Sequence, residues 1–166
     1  MNVLVAYGTT GGSTAEIAGW IAEELRGAGL VVDVRPAADV DDIGGYAAVV
    51  LGGALYAAGW HRDARQFAHR FADQPALPPV WLFSSGPLDS SADEAEPPPL
   101  PPVLEAMRGL HVRGHATFGG RLSTQARGWL GFIAQRMQRE GHAGDFRNPT
   151  RVRAWARDIA AEITYR

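Results

Sequence analysis

Three apolar runs in this chain each stop in glycine, serine or threonine. NVLVAY (2–7) runs into GTTGGST, YAAVVLGG (46–53) closes on paired glycines, and PVWLFSSG (79–86) closes on Ser-Ser-Gly. Runs this short and apolar throughout suit strands buried on both faces. Helical spacing falls between them. Residues 14–28 carry Ile17, Trp20, Ile21, Glu24 and Leu25 three and four apart, with Ser13 or Thr14 as N-cap. Residues 62–73 place Ala64, Phe67, Ala68 and Phe71 on one side. LVVDVRP (30–36) alternates like a strand nearer an edge, and HVRGHATFGG (111–120) reads as a fifth strand. A closing helix over 149–163 has Pro149 in its first turn and repeats Val152, Trp155, Ile159 and Ile163. Strand and helix alternating with short links predict an α/β fold whose parallel sheet is covered on both faces. Five strands in 166 residues predict a doubly wound five-stranded sheet of order 2-1-3-4-5.

Two segments break the rhythm. ADEAEPPPLPP (92–102) turns from acidic to proline-rich, which predicts an exposed loop before a short helix near 103–109. Residues 121–148 form an insert with its own helical stretch, QARGWLGFIAQRMQRE. No internal repeat marks a second domain, so residues 1–166 are expected to form one domain carrying that partly helical insert. A net charge of −2 gives no bulk attraction to nucleic acid. The chain has no cysteine, which excludes disulfides, thiolate metal sites and cysteine nucleophiles. All 16 basic residues are arginine, so no lysine-dependent mechanism operates. MNVLVAY lacks the basic start of a secretory signal, and no apolar window nears the roughly 18 residues of a membrane span. The expected location is cytoplasmic.

In this sheet order, ligands sit beyond the carboxyl ends of the strands, where the order reverses. The small-residue loops lie at those ends: GTTGGST after strand 1, GGALYAAGWH after strand 3 and SSGPL after strand 4. In the first loop, glycines allow close backbone approach and Thr9, Thr10, Ser13 and Thr14 supply hydroxyls. The helix that follows adds free N–H groups and its positive dipole end. These features make a phosphate cradle, or else a turn capped by its own side chains. The loop is neither a Walker A loop, which needs lysine, nor a G-x-G-x-x-G fingerprint.

The stretch YGTTGGSTAEIA resembles the flavodoxin phosphate loop, Thr/Ser-x-Thr-Gly-x-Thr, through Thr9, Thr10, Gly11, Gly12, Ser13 and Thr14. The whole chain resembles the flavodoxin-like branch that contains menaquinone-dependent protoporphyrinogen oxidases. VVLGGALYAAGWHRDARQF, VWLFSSGPL and an insert ending AGDFRNP carry that likeness. The resemblance implies a flavodoxin-like fold and an FMN cofactor with its phosphate in the first loop. It places the flavin ring between Gly53, Ala54, Leu55, Tyr56 and Trp60 on one side and Ser84, Ser85, Gly86, Pro87 and Leu88 on the other. A flat ring needs apolar or aromatic cover and a few polar groups for its edge, and these residues supply both. The resemblance further implies a redox enzyme with a quinone or other redox partner and a porphyrin-type substrate. A flavodoxin-type electron carrier, or a paralogue that has lost FMN and acts as a binding module, are the alternatives. The chain departs from carrier flavodoxins in being nearly neutral and in lacking a tyrosine after strand 4.

His61, in GWHRDAR, lies near the expected ring and is a candidate proton donor; the competing reading is a solvated histidine at a helix start. His69, His111, His115 and His142 show no metal-ligand spacing, so no metal is expected. Asp145 is read as a turn cap. No G-x-S-x-G elbow supports a hydrolase, and the ends Tyr7-Gly8-Thr9 and Leu51-Gly52-Gly53 lack the acids of a phosphoacceptor. From Met107 to Arg139 six arginines stand without an acid, and Trp129, Leu130, Ile133 and Met137 share a helical face. Residues 125–139 can therefore contact a membrane surface, bind an anionic partner, cap the domain or pair two copies in a homodimer.

Overall fold

Strand β1 (Asn2–Gly8) alternates its side chains between two cores: Val3 and Val5 face one, Leu4 and Ala6 the other, all fully buried. Two covered faces explain why the sequence reads as an unbroken apolar run. The computed structural model describes residues 1–56, 59–86, 93, 97–121 and 145–165. After β1 come α1 (Ser13–Gly27), β2 (Val31–Pro36), a 3-10 turn (Ala37–Asp39) and β3 (Ala48–Tyr56). A two-residue strand β4 (Gly59–Trp60), α2 (Arg62–Phe71), β5 (Val80–Ser85) and α3 (Pro101–Gly109) follow. Strand β6 (Val112–Phe118) and α4 (Pro149–Thr164) complete the described elements.

The sheet runs β2-β1-β3-β5-β6 with every neighbour parallel. This is the expected order 2-1-3-4-5, renumbered because β4 folds back antiparallel on the end of β3. Helices α1 and α4 cover one face, over Val3, Val5, Val50, Trp81, Phe83 and Phe118. Helices α2 and α3 cover the other, over Leu4, Val49, Leu51 and Leu82. The doubly wound, flavodoxin-like architecture follows.

Three local expectations are corrected. Strand β3 does not stop at Gly52-Gly53 but runs on to Tyr56, and its end pairs antiparallel with β4, Leu55 opposite Trp60 and Tyr56 opposite Gly59. Gly52 is required there because a Cβ would lie 2.0 Å from the fully buried Phe83 ring. Helix α1 is capped by Gly12, at φ 85°, rather than by Ser13 or Thr14. Only a residue tolerant of the left-handed region holds that turn without strain. Glu24 is not part of the apolar stripe: its carboxylate receives Arg153 at 3.3 Å and Arg157 at 3.2 Å, linking α1 to α4. Trp20 and Trp155 are half-buried beside the first core, Trp155 edge-on to Phe118 with ring centres 5.6 Å apart.

The stretch 125–139, Pro87, Leu88 and the Tyr56 side chain lie outside what the structure describes. Among the described residues no helix is long and apolar enough to cross a membrane.

Candidate functional site

Parallel pairing sets the carboxyl ends of three strands side by side. Gly8 of β1 is opposite Gly53 of β3, Gly53 is opposite Ser84 of β5, and Ala54 is opposite Ser85. The loops after β1, β3 and β5 therefore leave the sheet at one rim. Thr9, Thr10, Gly11, Gly12, Ser13 and Thr14 form the first loop and the start of α1. Gly53, Ala54, Leu55 and Trp60 form the second group, and Ser84, Ser85 and Gly86 the third.

The first loop is a neutral turn with defined geometry. The Thr9 hydroxyl accepts from Gly12 N at 3.1 Å, closing the turn that leads into α1. Among the described residues, a Cβ at Gly11 or Gly12 would meet nothing within 4 Å, so both glycines border open space. The Ser13 hydroxyl accepts from Arg121 N at 3.2 Å. Thr14 is fully buried at the second residue of α1, and its hydroxyl has no hydrogen-bond partner among the described residues. A buried hydroxyl left unpaired is costly, so a donor in this position is poised for an acceptor.

Glu16, in the same first turn of α1, would repel an anion at this helix start. Its charge is countered by two arginines: Arg121 at 3.2 Å and Arg147, which also grips Asp145 with Nε–Oδ1 2.7 Å and Nη2–Oδ2 2.6 Å. The Arg147 side chain is 5% exposed and lies over the Trp20 ring, 4.9 Å from its centre. Hydrogen bonds from Arg147 hold the Glu16 and Asp145 carboxyls below their ordinary ranges, and the same bonds push the guanidinium up. Asp145 does cap its turn, accepting from Arg147 N at 3.1 Å, as expected. The larger role of Arg147 and Arg121 was not visible in the sequence. The one signal was the i, i+2 spacing of an acid and an arginine in GDFRNP.

His61 caps α2. Its Nδ1 accepts from Asp63 N at 3.1 Å, so in the neutral ring the hydrogen is on Nε2, which lies 3.2 Å from Thr10 Oγ1. Burial lowers the imidazole pKa below its ordinary 6.5, with Asp63 opposing and Arg62 and Arg65 adding to the shift. Near neutral pH the ring is uncharged, and both nitrogens are engaged. Thr10, Gly59, Trp60, His61, Arg62 and Arg65 line an open recess of about 440 Å³ beside the loop.

On the other walls, Trp60 departs from the expectation of ring cover. Its indole is 2% exposed and donates to Gly53 O at 3.0 Å. Gly53 makes this possible, since a Cβ would sit 2.3 Å from Nε1. Trp60 thus backs the end of β3 from within the core, and Leu55 is half-buried at the rim. Ser84 Oγ lies 3.2 Å from His115 Nε2, and Gly86, at φ 126°, donates its N–H to Phe118 O at 2.9 Å. Among the described residues no group of three His, Cys, Asp or Glu is arranged to hold a metal.

The open glycines, the unpaired Thr14 hydroxyl, the free N–H groups of a helix start and the neutralised Glu16 suit a phosphate monoester such as that of FMN. A mutant flavodoxin from Pseudomonas aeruginosa, with one cysteine replaced by serine, superposes with a TM-score of 0.65 at 18% identity, covering 99% of both chains. A flavodoxin from the domain Archaea gives 0.61 at 16% identity and the same coverage. The rubredoxin oxygen:oxidoreductase of Desulfovibrio gigas gives 0.62 at 14% identity, with 99% of this chain lying on 36% of that one. These likenesses speak to the fold. No curated protein matches the sequence. The family model described as the flavodoxin domain matches residues 4–145, which include all three strand-end loops, and on that match the chain belongs to the flavodoxin domain family.

Proposed function

We propose that this protein binds FMN and is an oxidoreductase similar to the quinone-dependent protoporphyrinogen oxidases. The observation that carries FMN binding is the buried, unpartnered Thr14 hydroxyl within a neutral glycine-hydroxyl loop. Thr9, Thr10, Gly11, Gly12, Ser13 and Thr14 would hold the phosphate, with Ser13 and Thr14 also presenting helix-start amides. Gly53, Ala54, Leu55 and Tyr56 would border one side of the ring, with Trp60 behind Gly53. Ser84, Ser85, Gly86, Pro87 and Leu88 would border the other. When bound, FMN supplies electron transfer in one- or two-electron steps. The chain's own residues bind it, orient it and shield it from water. The resemblance of VVLGGALYAAGWHRDARQF, VWLFSSGPL and AGDFRNP supports the finer reading: a porphyrin-type donor, a quinone acceptor and a cytoplasmic protein touching the membrane through 125–139.

The purified protein should be yellow, or become so with added FMN, and acid should release the flavin. A colourless protein that takes up no FMN would sink the proposal. In the loaded protein, oxidation of a porphyrinogen with menaquinone as acceptor supports the enzyme, whereas reduction by single electrons with no turnover supports a carrier. Thr14→Val gives a sharper test. Removing an unpaired buried hydroxyl should raise the melting temperature of the flavin-free chain, by about 1 kcal/mol in stability. The same change should weaken FMN binding roughly ten- to a hundredfold, since a hydrogen bond to a charged group is worth roughly 1.5–3 kcal/mol.

A further inference from the structure

We propose that His61 is a positioning residue rather than a proton donor: it ties the phosphate loop to the β3–α2 connection and so raises affinity for the phosphate-bearing form of the flavin. The proposal rests on the FMN reading above. His61 is fixed from four directions. Its backbone N–H donates to Ala54 O at 2.8 Å, holding it against the end of β3. Its carbonyl accepts from Arg65 N at 3.1 Å, inside α2. Its Nδ1 accepts the Asp63 N–H of the first turn. From the fourth side β1 closes in, since a Cβ at Gly8 would lie 2.8 Å from Nδ1 and 3.0 Å from Ala64 N. Only glycine in that place lets the ring sit between β1 and α2.

A ring held this firmly offers Nε2 to Thr10, 51 residues away in sequence, at 3.2 Å. Its side chain is 13% exposed, whereas Thr10 is exposed. The rigid partner is therefore the histidine, and the loop is the part being held. Thr9 closes the loop internally on Gly12, and Ser13 is held by Arg121 N on the α1 side. The His61 contact supplies the tie on the α2 side. Ordering a binding loop before the ligand arrives removes part of the entropic cost of binding. Because Thr10 lies in the loop that would hold the phosphate, the gain should be confined to phosphate-bearing ligands. Among the described residues, Asp63, Arg62 and Arg65 are the charged groups about the ring, all on α2.

Two substitutions separate the two nitrogens. In His61→Asn the amide oxygen stands near the Nδ1 position and keeps the α2 cap, but the side chain is too short for Thr10. In His61→Gln the longer amide reaches Thr10. FMN and riboflavin, which lacks the phosphate, are titrated into each flavin-free protein by fluorescence quenching. The expected result is an FMN Kd about tenfold higher for H61N, with the riboflavin Kd unchanged, and recovery of most of the FMN affinity in H61Q. An H61N protein that binds FMN like the parent, or that loses FMN and riboflavin equally, would overturn the proposal. Amide hydrogen exchange of the flavin-free proteins gives a second, ligand-independent readout. Residues 9–14 should exchange about tenfold faster in H61N than in the parent or H61Q, with the α2 amides unchanged. Unchanged loop exchange would overturn the proposal as well. If the parent binds neither flavin, the FMN reading has failed, and the exchange data alone decide whether His61 positions the loop.

Discussion

Gly52→Ala is expected to destabilise the protein by about 3 kcal/mol, the upper end of the range for overpacking a core. The added methyl would lie 2.0–2.4 Å from three atoms of the Phe83 ring. That ring is fully buried and tilted against Phe118 and Trp155, with centres 6.3 Å from each. Its neighbours on β3 and β5 are paired on both sides, so neither backbone can move away. Urea denaturation should show a lower midpoint with an unchanged slope. The double variant Gly52→Ala/Phe83→Leu should be more stable than the sum of its parts, because the smaller side chain makes room for the methyl. Strict additivity would show that Phe83 is not what Gly52 accommodates.

Arg147→Met should cost about 2 kcal/mol near neutral pH. The loss combines stacking on Trp20, worth roughly 0.5–2 kcal/mol, with ion pairs to carboxylates that are 47% and 45% exposed and therefore well screened. The variant should also respond differently to acid. Glu16 and Asp145 ionise more readily in the folded chain than their ordinary 4.5 and 3.8, chiefly through hydrogen bonds from Arg147. A carboxylate with a depressed folded pKa contributes stability that is fully present above its unfolded value and is lost as pH falls through the folded one. The parent should therefore lose this contribution as pH drops below about 4.5, whereas Arg147→Met should show a flatter acid limb. Added salt should narrow the difference between the two. Thermal melts across the acid range up to neutral pH, at two ionic strengths, check the sign. Parallel acid limbs would show that Arg147 does not set these carboxyls.

The sheet order and the rim of the site were legible because both follow from periodicity and from small residues at strand ends. NVLVAY and PVWLFSSG read as doubly buried strands, and they are. The loop GTTGGST read as an anion cradle, and its open glycines and buried Thr14 suit that role. What periodicity could not convey was which neighbour a glycine serves. Gly52-Gly53 looks like a strand stop, whereas both residues continue β3 and make room for Phe83 and Trp60. Trp60 reads as cover for a flavin ring until its N–H partner, the Gly53 carbonyl seven residues back, is known. Glu24 kept helical spacing with an apolar stripe because the arginines that turn it outward come 129 and 133 residues later. Arg147 was hidden for the same reason: its partners Glu16 and Trp20 are remote in sequence, and distant ion pairs leave no local pattern.

The pairing of α1 with α4 has a consequence for how the chain comes together. Strand β1 and helix α1 are made well before α4, yet the core they share is roofed by Val152, Ala156, Ile159 and Ile163 of that later helix. A growing chain therefore carries one finished face, under α2 and α3, and one apolar face covered only by α1 until residues 149–164 have been made. At roughly 5–20 residues per second, that face waits several seconds for the rest of its cover. Nascent chains that stall before residue 149 should be strong chaperone clients, and removing α4 should yield aggregation rather than a smaller folded protein.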